Sequence, residues 1–357
     1  MQNSAKVVVG LSGGVDSSVA AALLVDQGYE VIGIMLKLWS APGSEDCNRC
    51  CTDESVTRAQ HLAQTLNFPF YLVNSRELFF SSVVQKFIEA YAIGRTPNPC
   101  IWCNQFVRWG FMLEHAENMG AELLATGHYA RLYKAQNGLV ELHRALDLSK
   151  DQSYVLSMLD QRQLSKTMLP LGSMKKSEVR QLASRMGLDA ADEPDSQDLC
   201  FVGGSNYQQF ISAYSPNAVL SGDIVDHGGN ILGRHNGLFA YTIGQRKGIK
   251  IPADAPYYVI EKDMKQNRLI VGRREEMGKQ TLSVNEFHWI AGKPPELSDR
   301  YQFKIRYNSQ LTTGKIDLNG DGVTEIVFDK PLIDITPGQL VVCYDGDHVL
   351  GGGFIDG

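Results

Sequence analysis

Apolar residues near the start of the chain fall into short blocks separated by amphipathic stretches. Compact apolar runs cover 7–10, 30–36 and 68–73, and the stretches 18–27 and 54–66 between them carry apolar positions at helical spacing. Strand, helix, strand, helix, strand is the order of a parallel sheet with both faces covered, whose strands read as nearly continuous apolar runs. The pattern predicts a further helix over 78–92, another over 108–119, and a strand over 122–126. Pro97 and Pro99 lie so close together that they predict an extended, ordered loop across 94–104. Two more helical stretches follow, at 161–164 and 177–186.

The texture changes near residue 207. Short alternating runs occupy 222–225, 238–242, 257–262, 268–271, 302–307, 312–317, 323–328 and 339–344, separated by turn residues. Period two with this punctuation predicts small antiparallel β domains. The expected architecture is therefore α/β, a doubly wound parallel sheet over 1–207, followed by two small antiparallel β domains at 208–280 and 281–357. Residues 317–322 imitate the start of a calcium loop, but the twelfth position, a bidentate Glu in such loops, is Phe328. A hairpin turn is predicted there instead.

Composition narrows the picture only a little. A chain of 357 residues, 43% hydrophobic and 21% charged, has room for two or three domains with ordinary cores. Its formal net charge of −6 does not advertise nucleic-acid binding, which would rest on local basic patches such as Arg246, Lys247 and Lys250. No apolar stretch approaches membrane-spanning length and the first residues are not a signal peptide, so a cytoplasmic protein without a membrane partner is expected. Seven cysteines in that compartment point to chemistry or metal before structural disulfides. Cys47, Cys50 and Cys51 cluster, Cys100 and Cys103 form a Cys-x-x-Cys, and Cys200 and Cys343 stand apart.

The first run ends in Gly10-Leu-Ser-Gly-Gly-Val-Asp-Ser17 and a helix opens at once. Such a strand-turn-helix turns backbone N–H groups toward an anion, with Ser12, Ser17 and Ser18 adding hydroxyls and Asp16 able to hold Mg²⁺. It lacks the Gly-Lys-Ser/Thr of a Walker A loop and the Gly-x-Gly-x-x-Gly of a dinucleotide turn. Ser-Gly-Gly-x-Asp-Ser resembles the loop of the ATP pyrophosphatases, enzymes that adenylylate a carbonyl oxygen and release pyrophosphate. Met35, at the end of the second strand, has two readings, a nucleotide contact and a core residue. Gly127-His128 closes a strand at the edge where such sheets bind ligands. Lys176 and Arg180, four apart, share a helix face with Lys175 close by, and its default reading is solvated surface.

Cys100 and Cys103 sit in the Pro-rich loop, and Cys200 follows the polar run Asp195-Ser-Gln-Asp198; neither setting reads as core. Together with the glycine turn, several stretches match one family. They are Thr96-Pro-Asn-Pro-Cys-x-x-Cys-Asn104, Ala125-Thr-Gly-His-Tyr-Ala130 and Lys150-Asp-Gln-Ser-Tyr154. Asp195-Ser-Gln-Asp-x-Cys-Phe201, Tyr241-Thr-Ile-Gly-Gln-Arg-Lys-Gly248 and Arg306-Tyr307 complete the set. Over essentially its whole length the chain resembles the bacterial tRNA-specific 2-thiouridylases, which thiolate the wobble uridine of certain tRNAs.

That resemblance implies ATP held by Gly10, Leu11, Ser12, Gly13, Gly14, Val15, Asp16 and Ser17, with Met35 and Gly127 at the nucleotide. It implies a persulfide on Cys200, loaded by a donor protein such as a cysteine desulfurase or a relay protein. Cys103 would attack it, releasing sulfide or leaving a disulfide. It places Asn98, Pro99 and Cys100 at the target base and His128, Lys150, Asp151, Gln152, Arg306, Tyr307 and Gln339 on tRNA. Cys100 departs from those members that carry Asp there, so a thiol cannot be given the carboxylate's acid–base role. Three cysteines, Cys100, Cys103 and Cys200, also suit a [4Fe–4S] cluster with one open iron. A zinc site on Cys47, Cys50, Cys100 and Cys103 is a minor alternative because the two pairs lie far apart in sequence. Another is an ATP pyrophosphatase amide ligase using ammonia, which would need no cysteine trio.

Overall fold

The computed structural model of the chain describes residues 5–42, 52–191, 199–202, 207–215, 219–318 and 322–356. Cys47, Cys50, Cys51 and Asp195–Asp198 lie outside the described residues. The described chain clusters into two compact units that are not contiguous in sequence.

The first unit takes residues 1–84, 100–204 and 347–349. Its strands are β1 (Lys6–Gly10), β2 (Glu30–Lys37), β3 (Phe70–Asn74), β4 (Leu123–Ala125), the pair β5 (Ala130–Lys134) and β6 (Val140–Arg144), and β7 (Thr167–Met168). Five of them form a parallel sheet, as the apolar blocks predict, and its order is β3-β2-β1-β4-β7. The middle strand lies in the core: Val7, Val8 and Val9 are fully buried. Helix Val15–Asp26 is buried on almost every side through Val19, Ala20, Ala21, Ala22 and Leu24, whose small side chains let it lie close in the core with Met35 and Val31. The hairpin β5–β6 has no counterpart in the sequence reading, and residues 348 and 349 pair with β6 in antiparallel register.

The second unit takes residues 85–99, 205–346 and 350–357. Gln85–Ala92 belongs here through Phe87 and Tyr91, whose rings meet Phe210 at 6.3 Å and Tyr207 at 5.4 Å. A four-stranded sheet is built from β8 (Gly222–Val225), β9 (Ile231–His235), β10 (Tyr258–Asp263) and β11 (Arg268–Gly272), in the order β10-β11-β8-β9. Its β11–β8 pairing is parallel, against the expectation of a wholly antiparallel domain. The strand predicted at 238–242 is a single tight turn, Leu238–Ala240. Gly237, at φ +112°, reverses the chain there, and Leu238 and Phe239 are apolar because the turn itself is buried.

The remaining strands are β12 (Lys279–Trp289), β13 (Tyr301–Lys304), β14 (Thr312–Leu318), β15 (Thr324–Leu332), β16 (Leu340–Asp345) and β17 (His348–Ile355). They run β12-β15-β14-β13-β16-β17, and β12 also pairs with β17, which closes a barrel around Phe303, Ile316, Ile326, Phe328 and Val341. The closing seam sets Gly351, Gly352 and Gly353 opposite Trp289, His288 and Phe287. A Cβ on Gly351 would lie 2.0 Å from the His288 carbonyl oxygen, so only glycine lets the backbones approach this closely. Asp317 and Leu318 pair with Glu325 and Thr324 on either side of the predicted hairpin turn, and residues 319–321 lie outside the described residues.

Candidate active site around the glycine turn

The turn between β1 and helix Val15–Asp26 is built by two devices. Gly13 adopts φ +71°, and a Cβ there would meet the Ser55 carbonyl oxygen at 2.5 Å. Backbone conformation and space both exclude a side chain, leaving a bare peptide cradle. Around it the hydroxyls are organised: Ser17 Oγ donates to the Gly14 carbonyl at 3.0 Å and accepts from the Ser12 N–H at 3.2 Å, and Ser18 Oγ also donates to Gly14. Arg58 Nε donates to the Gly13 carbonyl at 3.1 Å, tying the turn to the neighbouring helix Asp53–Thr65.

Asp16 sits in the first turn of the helix and is already engaged. Lys176 Nζ lies 2.7 Å from both carboxylate oxygens, and the Tyr129 hydroxyl donates to Oδ1 at 2.7 Å. Lys176 is only 8% exposed, so the solvated-surface reading of its face is corrected at this position. Its backbone N–H is held by Asp147, and its ammonium lies 5.8 Å from the Tyr129 ring centroid. An i, i+4 pattern of basic residues cannot reveal which one turns inward. Gly127 touches the same helix turn: a Cβ there would stand 2.7 Å from the Asp16 carbonyl carbon.

Cys103 reaches the turn by an unexpected route. The predicted extended loop stops at Asn98, because Pro99 starts a helical turn, Pro99–Trp102, the position where proline's fixed φ and missing N–H fit best. Cys100 and Cys103 therefore lie on a helix and not in a loop. From Cys103 to Met112 the winding is π-helical, a form that recurs at functional sites. At about 4.4 residues per turn, i→i+5 winding puts Cys103, Val107, Arg108 and Met112 on one face, which ordinary α winding would separate. Those four residues line a narrow cleft with Gly10, Leu11, Ser12, Leu36 and Leu38. Cys103 and the anion loop thus share one cleft, together with the Arg108 side chain, which the sequence reading did not single out. Cys103 is buried and Cys100 exposed.

Cys200 is half-buried, and its segment is anchored by Phe201, which is buried and meets Phe79 edge-on at 5.9 Å. The Met35 side chain is 1% exposed inside the sheet's core, which favours its core reading over a nucleotide contact. His128 packs on Trp109 at 5.3 Å and pairs with Thr126 Oγ1 at 2.8 Å. Burial, with help from the Arg108 charge, pulls its pKa down to about 3, so it is a neutral imidazole at ordinary pH.

Several residues that the resemblance places on tRNA are employed in holding the fold. Asp151 is buried and accepts from the N–H groups of Ala145 and Ser153 and from Ser153 Oγ, so its carboxylate organises the loop. Gln152 Oε1 accepts from the Tyr129 N–H at 2.9 Å. Lys150 is half-buried. In the second unit, Arg306 donates to the carbonyls of Ile243 and Asp334 and to Thr336 Oγ1. Gln339 Nε2 donates to the Thr96 carbonyl at 2.6 Å, pinning the segment that carries Asn98. Tyr307 is half-buried, as is Asn98, while Pro99 is buried. Exposed Arg246, Lys247 and Lys250 rim an open groove with Asp254 and Tyr257.

A parallel sheet with an acid-bearing, lysine-less glycine turn at the C-terminal end of its central strand defines an α/β protein of the ATP pyrophosphatase loop class. Three family models cover nearly all of the chain: one described as tRNA methyl transferase HUP domain matches residues 5–204, one as tRNA methyl transferase PRC-barrel domain 208–273, and one as aminomethyltransferase beta-barrel domain 279–355. Full-length relatives carry another description. The tRNA-specific 2-thiouridylase of Magnetococcus marinus is 42% identical over 99% of this chain and 100% of its own length. Those of Geobacter metallireducens and Desulfitobacterium hafniense are 42% and 43% identical, each over 98% of this chain and 96% and 98% of their own. The chain belongs to the tRNA-specific 2-thiouridylase family. A solved 4-thiouridine synthetase–RNA complex with bound ATP is 18% identical over 60% of this chain and 51% of that one, at a TM-score of 0.37, too weak a likeness to carry an argument. Among the described residues no helix is long and apolar enough to cross a membrane.

Proposed function

We propose that this chain is an ATP-dependent enzyme that converts the wobble uridine of tRNA to 2-thiouridine, with a catalytic domain over 1–207 and β domains at 208–280 and 281–357. The observation that carries the reading is the single cleft that holds both Cys103 and the Gly10–Ser12 part of the anion loop. A thiol set beside a phosphate cradle suits a reaction in which one group makes a leaving group and the other helps to replace it.

The C2 oxygen of uridine leaves poorly. Its attack on the α-phosphorus of ATP forms a C2–O–AMP bond and expels pyrophosphate, whose charge the turn's N–H groups and serine hydroxyls would receive. Mg²⁺ held by Asp16 would neutralise further phosphate charge. Lys176, now paired with Asp16, is a cation that could turn to the same phosphates. A persulfide on Cys200, loaded by a donor protein, would then supply sulfur. Either its terminal sulfur attacks C2 and AMP departs, after which the Cys103 thiolate attacks Cys200 Sγ and breaks the S–S bond, releasing 2-thiouridine and leaving a Cys103–Cys200 disulfide; or the Cys103 thiolate attacks Cys200 Sγ first, leaving the same disulfide and freeing sulfide, which attacks C2 and expels AMP. Arg108 places a cation in the cleft where the Cys103 thiolate would form. Asn98, Pro99 and Cys100 would meet the flipped base, with His128, Lys150 and Tyr307 as further contacts. Asp151, Gln152, Arg306 and Gln339 would act through the loops they hold.

Cys103→Ser and Cys200→Ser should each abolish thiouridine, read by mass spectrometry of digested tRNA, while ATP still binds. Normal thiolation by either variant overturns the assignment. Lys176→Met should slow tRNA-dependent pyrophosphate release on the order of a hundredfold, the scale of losing one charge-stabilising donor; undiminished release would leave Lys176 a structural partner only. The alternative cluster reading rests on Cys100 and Cys103 standing one helical turn apart, a spacing at which both can ligate. Anaerobic purification with iron and sulfide analysis, followed by thiolation assays with and without the cluster, separates the two.

A further inference from the structure

Three metal-ligating side chains meet on one face of the first unit, on strands that the thiolation chemistry does not use. Glu141 and His143 stand two apart on β6, so the pleat directs both to the same side. His348 lies directly opposite His143 in the antiparallel register, where side chains on one face are nearest neighbours. One ligand atom from each of the three falls within 4.8 Å of the others. His143 Nε2 is 2.9 Å from Glu141 Oε2, and the two imidazole rings stack with centroids 4.9 Å apart and planes 9° from parallel. All three side chains are half-buried, so the cluster is shielded yet keeps an open side.

The surroundings permit a cation. Arg131, on β5, lies directly opposite His143, but its guanidinium is bound to Asp347 at 2.8 Å, which also draws Arg144. Tyr133 closes one flank, its ring edge-on to His143 at 4.8 Å.

We propose that Glu141, His143 and His348 form a binding site for a divalent transition-metal ion, with Zn²⁺ the best match. Two imidazoles and a carboxylate with a fourth position open to water are a recurring tetrahedral zinc donor set. They are too hard for Cu(I) and too rich in nitrogen for Mg²⁺ or Ca²⁺. Bonds of about 2.0–2.2 Å would bring the ligand atoms to about 3.4 Å from one another, a contraction that side-chain torsions can supply. The ion would take the place of the His143–Glu141 hydrogen bond and fasten residues 347–349 to the β5–β6 hairpin.

The test is a titration of the full-length, chelator-stripped protein with Co²⁺ followed by absorption, and with Zn²⁺ followed by thermal denaturation. One Co²⁺ should bind with visible d–d bands and without the near-ultraviolet charge-transfer band that thiolate ligands give, and Zn²⁺ should raise Tm. Both responses should vanish in His348→Asn and persist in Cys103→Ser and Cys200→Ser. Glu141→Gln, which keeps the size and a hydrogen bond, should weaken binding by about tenfold or more, since even outer-shell partners cost that much. Its metal-free Tm, matched to the parent, shows that the fold is intact. Equal uptake by the parent and a His143→Asn/His348→Asn double variant overturns the proposal, as does a thiolate band that disappears with the cysteines.

Discussion

The carboxylate of Asp16 is gripped by an ammonium and a phenol, so its rotamer is fixed and its charge balanced before any ligand arrives. Nothing in the spacing of Lys175, Lys176 and Arg180 marks the middle one, since helical periodicity assigns a face but not what packs against it. The same limit applies to Asp151 and Gln339, whose polar side chains read as surface contacts and serve as internal ties. His128 contributes a pH dependence at this scale. Its folded pKa of about 3 lies below the ordinary 6.5, so the unfolded chain binds the proton first and stability falls as pH drops from 6.5 toward 3. The slope from this one group is at most about 1.4 kcal/mol per pH unit. Urea unfolding at a series of pH values should show that slope reduced in His128→Gln; identical slopes in both proteins would remove the assignment.

Among the elements, the parallel strands and their helices are legible because apolar blocks and helical periodicity state them outright. The π-helical stretch from Cys103 to Met112 is not, because its extra residue per turn leaves no compositional mark. Yet that winding sets which residues face the loop. Deleting Gln105 lets the stretch rewind as α-helix and swings Cys103 away from Met112. Thiolation should then fall by about a hundredfold or more, the scale of a small misplacement in an active site. Far-ultraviolet circular dichroism and ATP binding should stay near those of the parent. Full activity in the deletion variant would show that the winding does not position the thiol. The strand β17 escapes the pattern for a different reason, since its three successive glycines carry no alternation of apolar and polar side chains.

At the scale of the whole chain, the change of texture near residue 207 is legible, but the segment 85–99 clusters with the β-rich unit because Phe87 and Tyr91 find their aromatic partners there. Long-range partners of this kind leave no local signal. The glycine seam makes a prediction of its own. Gly351→Ala forces a methyl against the His288 carbonyl and should cost about 1–3 kcal/mol of stability, the usual scale of overpacking, read as a lower urea midpoint at unchanged slope. An unaltered midpoint would show that the strands can part without penalty. The seam also carries a kinetic consequence. The hairpin β14–β15 joins neighbours in the chain, whereas Val284 and Ile355 must find each other across most of the barrel's length of sequence. Loop-closure entropy therefore makes this pairing the slow event in assembling the barrel. Until it happens, β12 and β17 remain two open strand edges, each able to recruit another chain in place of the other.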